Sequence, residues 1–367
     1  MQVINFLLNN NQDNKCWEKL TEAYGIKVKH YTENDLHVLN YDQIESPKME
    51  PIVQECRGLI LDYDLNVVCR PFDRFFNFGE ADTQKWEGQQ FDWAPKLDGS
   101  LIKVYMHQGK WHVATRGTAF AESNVGAWGI TFAQLVYKAA DVSSAEEFSE
   151  LCRLSGMLPA ATYLFELTAM ENRVVTQYNE PKLTLLSARM NGTGEYIPYH
   201  RAYAQLPPFM ARSVGFREGT PEEFQQKANA LKNLEEGYVG YYNGVPVLKV
   251  KSEAYVAVHH IRGEGLNPKR ICELVASGEA EEYLTYFPED RAVVEPCVHG
   301  MNFILERMDN WFEKIKATES QKEFAINANV TEVPSLLFTA RKNGTIPSLE
   351  FHRSPIERKV KILMANY

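Results

Sequence analysis

The stretch WAPKLDGSLIKVYM, from Trp93 to Met106, places Lys96 directly before an acid–glycine corner and an apolar run. A free lysine has a pKa near ~10.4, so at neutral pH it is almost entirely ammonium and not nucleophilic. Nearby cations or burial lower that pKa and expose the amine. Lys96 is therefore either an exposed residue at the mouth of a hairpin or a nucleophile held by positive neighbours.

Basic residues that could surround this lysine lie in or beside predicted strands. Arg57 stands in ECRG, Arg74 in DRFFNFG and Arg116 in TRG. Lys249 and Lys251 alternate in LKVKS, which puts both on one face of a strand. Two adjacent positive charges repel each other unless an anion lies between them, and a polyphosphate is such an anion. The alternative is a solvated pair on an edge strand, where lysines discourage aggregation.

Three acids lie within or beside the same strands. Glu166 is inside the apolar segment YLFELTA, Glu236 precedes the strand of EGYVGY, and Asp98 lies two residues after Lys96. A buried carboxylate needs a partner, which here is a metal ion, a sugar hydroxyl or an arginine such as Arg173. Asp98 could instead shape the turn. Together these acids and cations fit one site for a metal ion and a nucleotide polyphosphate.

The elements that must position these residues follow from periodicity and turn signals. GLILDYDLNVVCRPF, SLIKVYMHQGKWHVATRG and EGYVGYYNGVPVLKVKS predict hairpins, and ATYLFELTAM, NRVVTQY and KLTLLSARM predict further strands. TPEEFQQKANALKNL predicts a helix capped by Thr220 and Glu223. After about residue 260 the pattern is helical, as in MNFILERMDNWFEKIKA. We predict an α+β protein, with an antiparallel-sheet domain over 1–260 and an all-helical C-terminal domain over 261–367.

The composition excludes several classes of protein. With a net charge of -9 over 367 residues, binding to nucleic acid would require a local basic groove. The six cysteines are scattered without zinc-ligand spacing, which predicts reduced thiols in a cytoplasmic protein. The N-terminus lacks the pattern of a signal peptide, and no apolar run reaches membrane-spanning length, so no membrane partner is expected. Nothing in the sequence demands more than a monomer.

The ordered set of motifs resembles the covalent nucleotidyltransferases, which are the polynucleotide ligases and the messenger-RNA capping enzymes. KLDGS, FELTA, EGYVGY and LKVKS are similar to four motifs of that superfamily and occur in its order. ECRGLI, RPFDRFFNFGE, NRVV and LLSARMNGTGEYI resemble the phage-type RNA ligase 1 family in particular, over about residues 38–260. The helical tail resembles that family only in position and helix content.

The resemblance implies an ATP-dependent RNA ligase that joins 5′-phosphate and 3′-hydroxyl ends of single-stranded RNA, with Mg²⁺ or Mn²⁺. Lys96 would attack the α-phosphorus of ATP and become Lys-AMP. The AMP would then pass to the RNA 5′-phosphate, and a 3′-hydroxyl would displace it. RNA repair is the implied role, with nicked transfer RNA, broken in its anticodon loop, as a candidate substrate. A viral chain would act in the host-cell cytoplasm, and the helical domain would select the RNA.

The same resemblance implies roles for individual residues. Lys249 and Lys251 would hold the α-phosphate, Arg57 and Arg74 would contact phosphates, and Glu166 would bind the ribose hydroxyls. Tyr41 and Phe76 would flank the adenine, and Glu236 would hold the catalytic magnesium ion. The implied nucleotide site also includes Pro95, Gly99, Arg116, Glu236 and Tyr255, and the implied metal ligands are Glu166, Glu236 and Asp98.

Two alternative functions stay open at this point. A DNA ligase or a capping-type nucleotidyltransferase usually has an OB-fold after the last motif, which would be predicted as five short strands, whereas helices follow here. An inactive module that only binds RNA ends is opposed by the intact lysines and acids of the motifs. The late basic segment RSPIERKVK is either a solvated helix face or a contact to the RNA backbone.

Overall fold

The computed structural model describes residues 1–10, 15–80, 83–126, 128–207, 210–263 and 266–366. Its contacts divide the chain into two compact units, Met1–Ala257 and Val258–Tyr367. Every strand of the described residues lies in the first unit, and the second is helical. The predicted α+β class, with antiparallel-rich sheets followed by a helical region, is confirmed. The division falls at residue 257, close to the predicted 260.

Four antiparallel strands that are neighbours in chain order form the first sheet, and three short helices pack against it. Leu7 and Leu20 of the helices are buried with Leu39 and Leu59 of the strands. This burial fixes the strand that begins at Arg57. The elements are α1 (Gln2–Asn9), α2 (Cys16–Tyr24), β1 (Ile26–Tyr31), β2 (Leu36–Tyr41), α3 (Pro51–Glu55), β3 (Arg57–Asp62) and β4 (Val67–Cys69).

A five-stranded sheet lies next in the chain, with three of its four pairings antiparallel. Gln108 and Gly109 both have positive φ and close its first hairpin, as the sequence predicts. Its order is β11-β10-β9-β7-β8 for β7 (Ser100–His107), β8 (Lys110–Ala114), β9 (Ala161–Thr168), β10 (Lys182–Met190) and β11 (Arg212–Ser213). The helices of this region are α4 (Phe132–Ala139), α5 (Ala145–Leu154) and α6 (Tyr199–Ala204).

The third sheet carries the predicted lysines. Its order is β12-β6-β13-β14-β5 for β5 (Phe76–Asn77), β6 (Phe91–Lys96), β12 (Arg217–Gly219), β13 (Gly237–Tyr242) and β14 (Val245–Lys251). Helix α7 (Pro221–Asn229), which begins with the predicted capping box, covers one face through Phe224, whose ring stacks on buried Trp93 at 4.7 Å. Because β14 lies between β13 and β5, the edge-strand alternative for Lys249 and Lys251 is wrong.

Helix α8 (Glu253–Arg262) contains the division between the two units. The longest helix that follows buries Leu305, Met308, Phe312 and Ile315 of the predicted helical segment MNFILERMDNWFEKIKA. None of the described helices combines the length and the apolar character that crossing a membrane requires. The remaining helices are α9 (Pro268–Ser277), α10 (Ala280–Tyr286), α11 (Arg291–Ile315), α12 (Gln321–Ala328), α13 (Pro334–Asn343), α14 (Pro347–Arg353) and α15 (Ile356–Asn366).

Candidate active site

One buried carboxylate holds two of the predicted lysines side by side. Lys96 is the last residue of β6, and its Nζ atom lies 2.6 Å from Glu236 Oε2. Lys251, the last residue of β14, places its Nζ atom 2.8 Å from Glu236 Oε1. The strand register explains this, because Gly237, next to the acid, pairs with both Lys96 and Lys251. Burial raises the pKa of Glu236, but the attraction of the two lysines outweighs it and lowers that pKa.

Asp98 organises the corner that follows Lys96. Its Oδ2 atom accepts the backbone N–H groups of Val175 at 2.7 Å and Thr176 at 2.6 Å. Its Oδ1 atom accepts the hydroxyl of Tyr255 at 2.7 Å. The aspartate is only 3% exposed, so these three hydrogen bonds give its carboxylate a structural task. Tyr255, predicted as a nucleotide contact, stabilises this corner through its hydrogen bond to Asp98.

The metal site of three acids stays a prediction. The carboxylate of Asp98 already accepts three hydrogen bonds within the protein. Within the described ranges, no group of three or more His, Cys, Asp or Glu side chains is arranged to hold a metal ion. Glu166 and Glu236 stay candidates, because Mg²⁺ is commonly held by one or two carboxylates together with substrate phosphates.

Glu166 lies in β9, and its side chain reaches the backbone of the corner. Its Oε1 atom accepts the N–H of Gly99 at 3.0 Å. This approach requires glycine, since a Cβ atom at Gly99 would lie 2.2 Å from the carbonyl oxygen of Leu167. Burial raises the pKa of Glu166 to about 7, against the attraction of Lys96 and with added repulsion from Glu236. This carboxyl is therefore a mixture of its two forms near neutral pH.

Lys249 is a cation held among other cations. Its Nζ atom lies 5.7 Å from the ring centroid of Phe75, and the guanidinium of Arg57 lies 5.7 Å from the same ring. Burial lowers the pKa of Lys249 to about 7, and repulsion adds to the effect from Lys96, Lys251, Arg57 and Arg74. The folded chain therefore concentrates positive charge here without an anion of its own to balance it fully, as the spacing of the motifs predicts.

Two aromatic rings hold the remaining predicted arginines. Arg74 donates from Nη1 to the hydroxyl of Tyr41 at 2.9 Å, and its guanidinium lies 5.0 Å from the ring centroid of Phe76. The guanidinium of Arg116 lies 4.4 Å from the ring centroid of Tyr41. Phe76 and Tyr41 therefore make cation–π contacts with the guanidinium groups of these arginines. Their contact with an adenine base stays a prediction.

A cavity of about 210 Å³ opens among these residues. Its walls combine four charged side chains with apolar and aromatic ones, a composition typical of small-molecule sites. The predicted residues that line it are Arg57, Pro95, Lys96, Gly99, Glu166 and Lys249. The other predicted residues are not part of this lining: Tyr41, Arg74, Phe76, Asp98, Arg116, Glu236, Lys251 and Tyr255.

Comparison with known protein families shows to which family the chain belongs. A model of the family described as RNA ligase matches residues 55–245, which is 191 of the 367 residues. The chain belongs to the RNA ligase family. The matched segment includes Arg57, Lys96, Glu166 and Glu236 of the site, and it ends four residues before Lys249.

Relatives of this RNA ligase family chain occur in viruses and phages. A protein of Autographa californica nuclear polyhedrosis virus, named as a candidate bifunctional polynucleotide kinase/RNA ligase, is 36% identical over 99% of this chain and 53% of its own length. The RNA ligase of Rhodothermus phage RM378 is 23% identical over 65% of this chain and 67% of its own length. The chain thus spans about half of the baculovirus relative.

Solved structures add little to the family assignment. An archaeal ATP-dependent RNA ligase covers 91% of this chain and 77% of its own, at 15% identity and a TM-score of 0.45. A protein from Aquifex aeolicus, described as a candidate ATP-dependent DNA ligase, covers 82% of this chain and 80% of its own, at 11% identity and a TM-score of 0.45. The two scores are equal and low, so neither likeness distinguishes RNA ligases from DNA ligases.

Several cavity residues of this RNA ligase family chain were missed by the sequence-based prediction. Phe75 is the ring under Arg57 and Lys249, and its only signal is its place in RFFNF, a run that is also typical of a core. Val239 could have been found from strand alternation in EGYVGY. Leu186 could not, because a bulge between Leu185 and Ser187 changes the register of β10.

A fully buried lysine outside the motifs links two of the sheets through a hydrogen bond. Lys103 in β7 is 0% exposed, and its ammonium donates to the carbonyl of Gly58 in β3. Gly58 has a φ of +85°, and a Cβ atom there would lie 2.6 Å from the carbonyl oxygen of Arg116. Gly58 directly follows Arg57 and packs closely against the backbone of Arg116. The hydrogen bond from Lys103 therefore fixes the backbone between these two arginines.

We expect Lys103→Met to weaken both the fold and the site. Methionine keeps the length of the side chain but leaves the Gly58 carbonyl without its donor, which costs roughly 1–3 kcal/mol. Arg57 should then be less well positioned. Urea unfolding and titration with an ATP analogue measure the two effects, and Lys110→Met, at an exposed lysine of the same hairpin, is the matched control. An unchanged unfolding midpoint with unchanged affinity would contradict this role.

Proposed function

We propose that this chain is an ATP-dependent RNA ligase that joins 5′-phosphate and 3′-hydroxyl ends of single-stranded RNA. The observation that carries the proposal is the position of Lys96. It lies in the wall of a cavity that Lys249 and Arg57 also line, within the segment matched by the RNA ligase family. Cations suit a polyphosphate, and the apolar walls suit a base. The baculovirus and phage relatives bear names that agree with this activity.

The first step is the transfer of AMP to Lys96. The ammonium loses a proton, for which Glu236 Oε2 at 2.6 Å is the nearest acceptor. The lone pair of Nζ then forms a bond to the α-phosphorus of ATP. The bond between that phosphorus and the bridging oxygen breaks, and pyrophosphate leaves with the electron pair. Lys249 and Lys251 stabilise the negative charge that builds on the α-phosphate.

The later steps return Lys96 to its starting form. An oxygen of the RNA 5′-phosphate attacks the same phosphorus, the bond to Nζ breaks, and the amine takes up a proton again. The 3′-hydroxyl of the other RNA end then attacks the RNA phosphorus, loses its proton and releases AMP. Arg57 and Arg74 would hold the phosphates during these transfers, because guanidinium groups bind phosphate in a planar, bidentate manner.

Glu166 and Glu236 are the residues that would hold a divalent cation, Mg²⁺ or Mn²⁺. The two carboxyl groups are close enough for Glu236 to raise the pKa of Glu166, and a divalent cation relieves such repulsion. When bound, the ion would neutralise charge on the phosphates. Glu166 would also accept the ribose hydroxyls, through Oε2, the oxygen atom that Gly99 does not contact.

The substrate and setting belong to the same proposal. The helical unit, Val258–Tyr367, would select the RNA, with transfer RNA broken in the anticodon loop as a candidate. Arg353 and Lys361, the exposed basic residues of RSPIERKVK, would contact the RNA backbone. The protein would act as a monomer in RNA repair, in the cytoplasm of the host cell, as the viral relatives suggest.

Covalent labelling tests this function directly. The protein is mixed with α-labelled ATP and Mg²⁺ and then denatured, and we expect the label to stay on the protein. A 5′-phosphorylated oligonucleotide should then form circles when it is RNA and not when it is DNA. Label from GTP instead of ATP would indicate a capping-type enzyme. The absence of label with any nucleotide would indicate a module that only binds RNA ends.

Nucleotide binding is expected to take up a proton above about pH 7. The pKa of Lys249 is lowered to about 7, so above that pH most of this side chain is neutral in the free protein. An anionic polyphosphate favours the ammonium form and raises that pKa again. Calorimetric titration with a non-hydrolysable ATP analogue at about pH 8, in buffers of different ionisation enthalpy, measures the uptake.

Two variants assign this proton to Lys249. Lys249→Met should lose the uptake, because no titrating amine is left at that position. Glu166→Gln should keep the uptake that belongs to Lys249, because this variant leaves that amine in place. Equal proton uptake by the unmodified protein and Lys249→Met would show that another group titrates.

A further inference from the structure

A second cavity lies on another side of the segment that carries Lys96. Its volume is about 270 Å³, and it shares Pro95, Lys96 and Leu97 with the nucleotide cavity. The motif residues that contribute to it are Lys96 and Leu97 of KLDGS and Glu236, Gly237 and Tyr238 of EGYVGY. Its remaining walls come from β12 and β13, the loop before β12 and the segments at Tyr178 and Leu231. A molecule in this cavity would therefore lie beside the nucleophile without occupying the nucleotide site.

The walls of this second cavity are rich in aromatic rings. Phe216, 36% exposed, makes T-shaped contacts with the rings of Tyr199 at 5.0 Å and Tyr241 at 5.3 Å. Tyr178 and Tyr238 are half-buried and line the same space. Partly exposed rings that the protein holds in place are surfaces on which bases stack, whatever their sequence.

One cation in the lining has no partner among the described residues. Arg217 is exposed, and no described residue forms a hydrogen bond or an ion pair with its guanidinium. Glu235 and Glu236 also line the cavity, and their carboxylates disfavour a phosphate group beside them. The charges therefore fit a neutral ring inside and one phosphate beside Arg217.

We propose that this second cavity binds an unpaired base of the RNA next to the end being joined. The base stacks on Phe216, and its phosphate contacts Arg217. The proposal deepens the function given above and rests on it for the identity of the ligand. The shared wall at Lys96 places this nucleotide close to the site of AMP transfer, so it would hold the RNA end in reach of the adenylate.

Fluorescence anisotropy with a labelled, 5′-phosphorylated RNA oligonucleotide tests the cavity without requiring catalysis. We expect Phe216→Ala to weaken binding by between about five-fold and a hundred-fold, the range for the loss of one stacked base. Arg217→Ala should also weaken binding, and it should reduce the slope of log affinity against log salt by about 0.7, the share of one phosphate. Phe216→Ala should leave that slope unchanged.

The kinetics of the separate reaction steps provide a second measurement. Self-adenylylation needs no RNA, so Phe216→Ala and Arg217→Ala should keep its rate, while transfer of AMP to RNA or sealing of pre-adenylylated RNA should show a raised KM. Arg212→Ala, at an exposed arginine of β11 outside the cavity, is the matched control. A thermal melt shows whether the loss of Phe216 disturbs its tyrosine neighbours, and Arg217→Ala tests the cavity independently of that packing.

The outcomes separate this inference from the proposed function. Normal RNA affinity, salt slope and KM in both variants would overturn the cavity as an RNA site. Loss of self-adenylylation in Arg217→Ala would also overturn it, because the residue would then belong to the nucleotide site or the fold. An unmodified protein that binds RNA through these residues but forms no Lys-AMP would instead refute the proposed reaction and support the cavity.

Discussion

Lys96→Met is expected to reduce labelling of the protein by α-labelled ATP to the level of a control without enzyme. Methionine has a similar length but no nucleophilic nitrogen, so the bond to the α-phosphorus cannot form. The buried Glu236 keeps Lys251 as a partner at 2.8 Å, so we expect the variant to fold. The label is measured on the denatured protein after electrophoresis.

Two controls make this result specific to the nucleophile. Lys96→Arg keeps a cation beside Glu236 but has no amine of low enough pKa, and it should also remain unlabelled. Sealing of RNA that is already adenylylated does not use the Lys96 amine as a nucleophile, so both variants should retain measurable sealing. Labelled Lys96→Met protein would refute the assignment, and loss of both reactions with a normal melt would indicate a wider role for this residue.

Lys249→Met is expected to slow self-adenylylation by about a hundred-fold to a thousand-fold, since the loss of one donor to a charged transition state costs roughly 2.7–4 kcal/mol. The described residues include no acid that forms an ion pair with Lys249, so its removal leaves no buried carboxylate unpaired. The fold should therefore be unharmed, or even stabilised, because burial disfavours this charge. Single-turnover rates measure the first effect and urea unfolding the second.

Lys251→Met provides the contrast. It should slow the same step by a similar factor, but it also removes one of the two partners of Glu236, so its unfolding free energy should fall. Lys232→Met, at an exposed lysine of the same unit, should change neither quantity. Near-normal rates in Lys249→Met and Lys251→Met would contradict the role assigned to the strand face that they share.

Local signals in the sequence were sufficient for the strands that carry the site. The turn at Asn243–Gly244 and the alternation in LKVKS fix β13 and β14, and with them the common face of Lys249 and Lys251. Lys96 and Glu166 were found from charged residues set in apolar runs. The ordering of the motifs then gave the family, although each motif alone is weak.

Contacts between segments that are distant in the sequence could not be predicted from such local signals. NRVVTQY was predicted to be a strand, but the structure has no strand there, and the amides of Val175 and Thr176 bind Asp98. Two adjacent valines favour a strand only where a neighbouring strand is available. The hydrogen-bond partners of Asp98 could not be predicted for the same reason, since they lie 77, 78 and 157 residues away. Lys103 likewise depends on Gly58, 45 residues earlier.

The carboxylate shared by Lys96 and Lys251 would make the covalent intermediate of the proposed reaction electrically different from the free protein. Attachment of AMP would replace the ammonium of Lys96 by an anionic phosphoramidate, so Glu236 would be left to Lys251 alone. Lys96 would also cease to repel Lys249, which favours protonation of that amine. The Lys-AMP form would thereby hold a positive charge on β14, two strands from Lys96 in the sheet, when the anionic RNA end must approach.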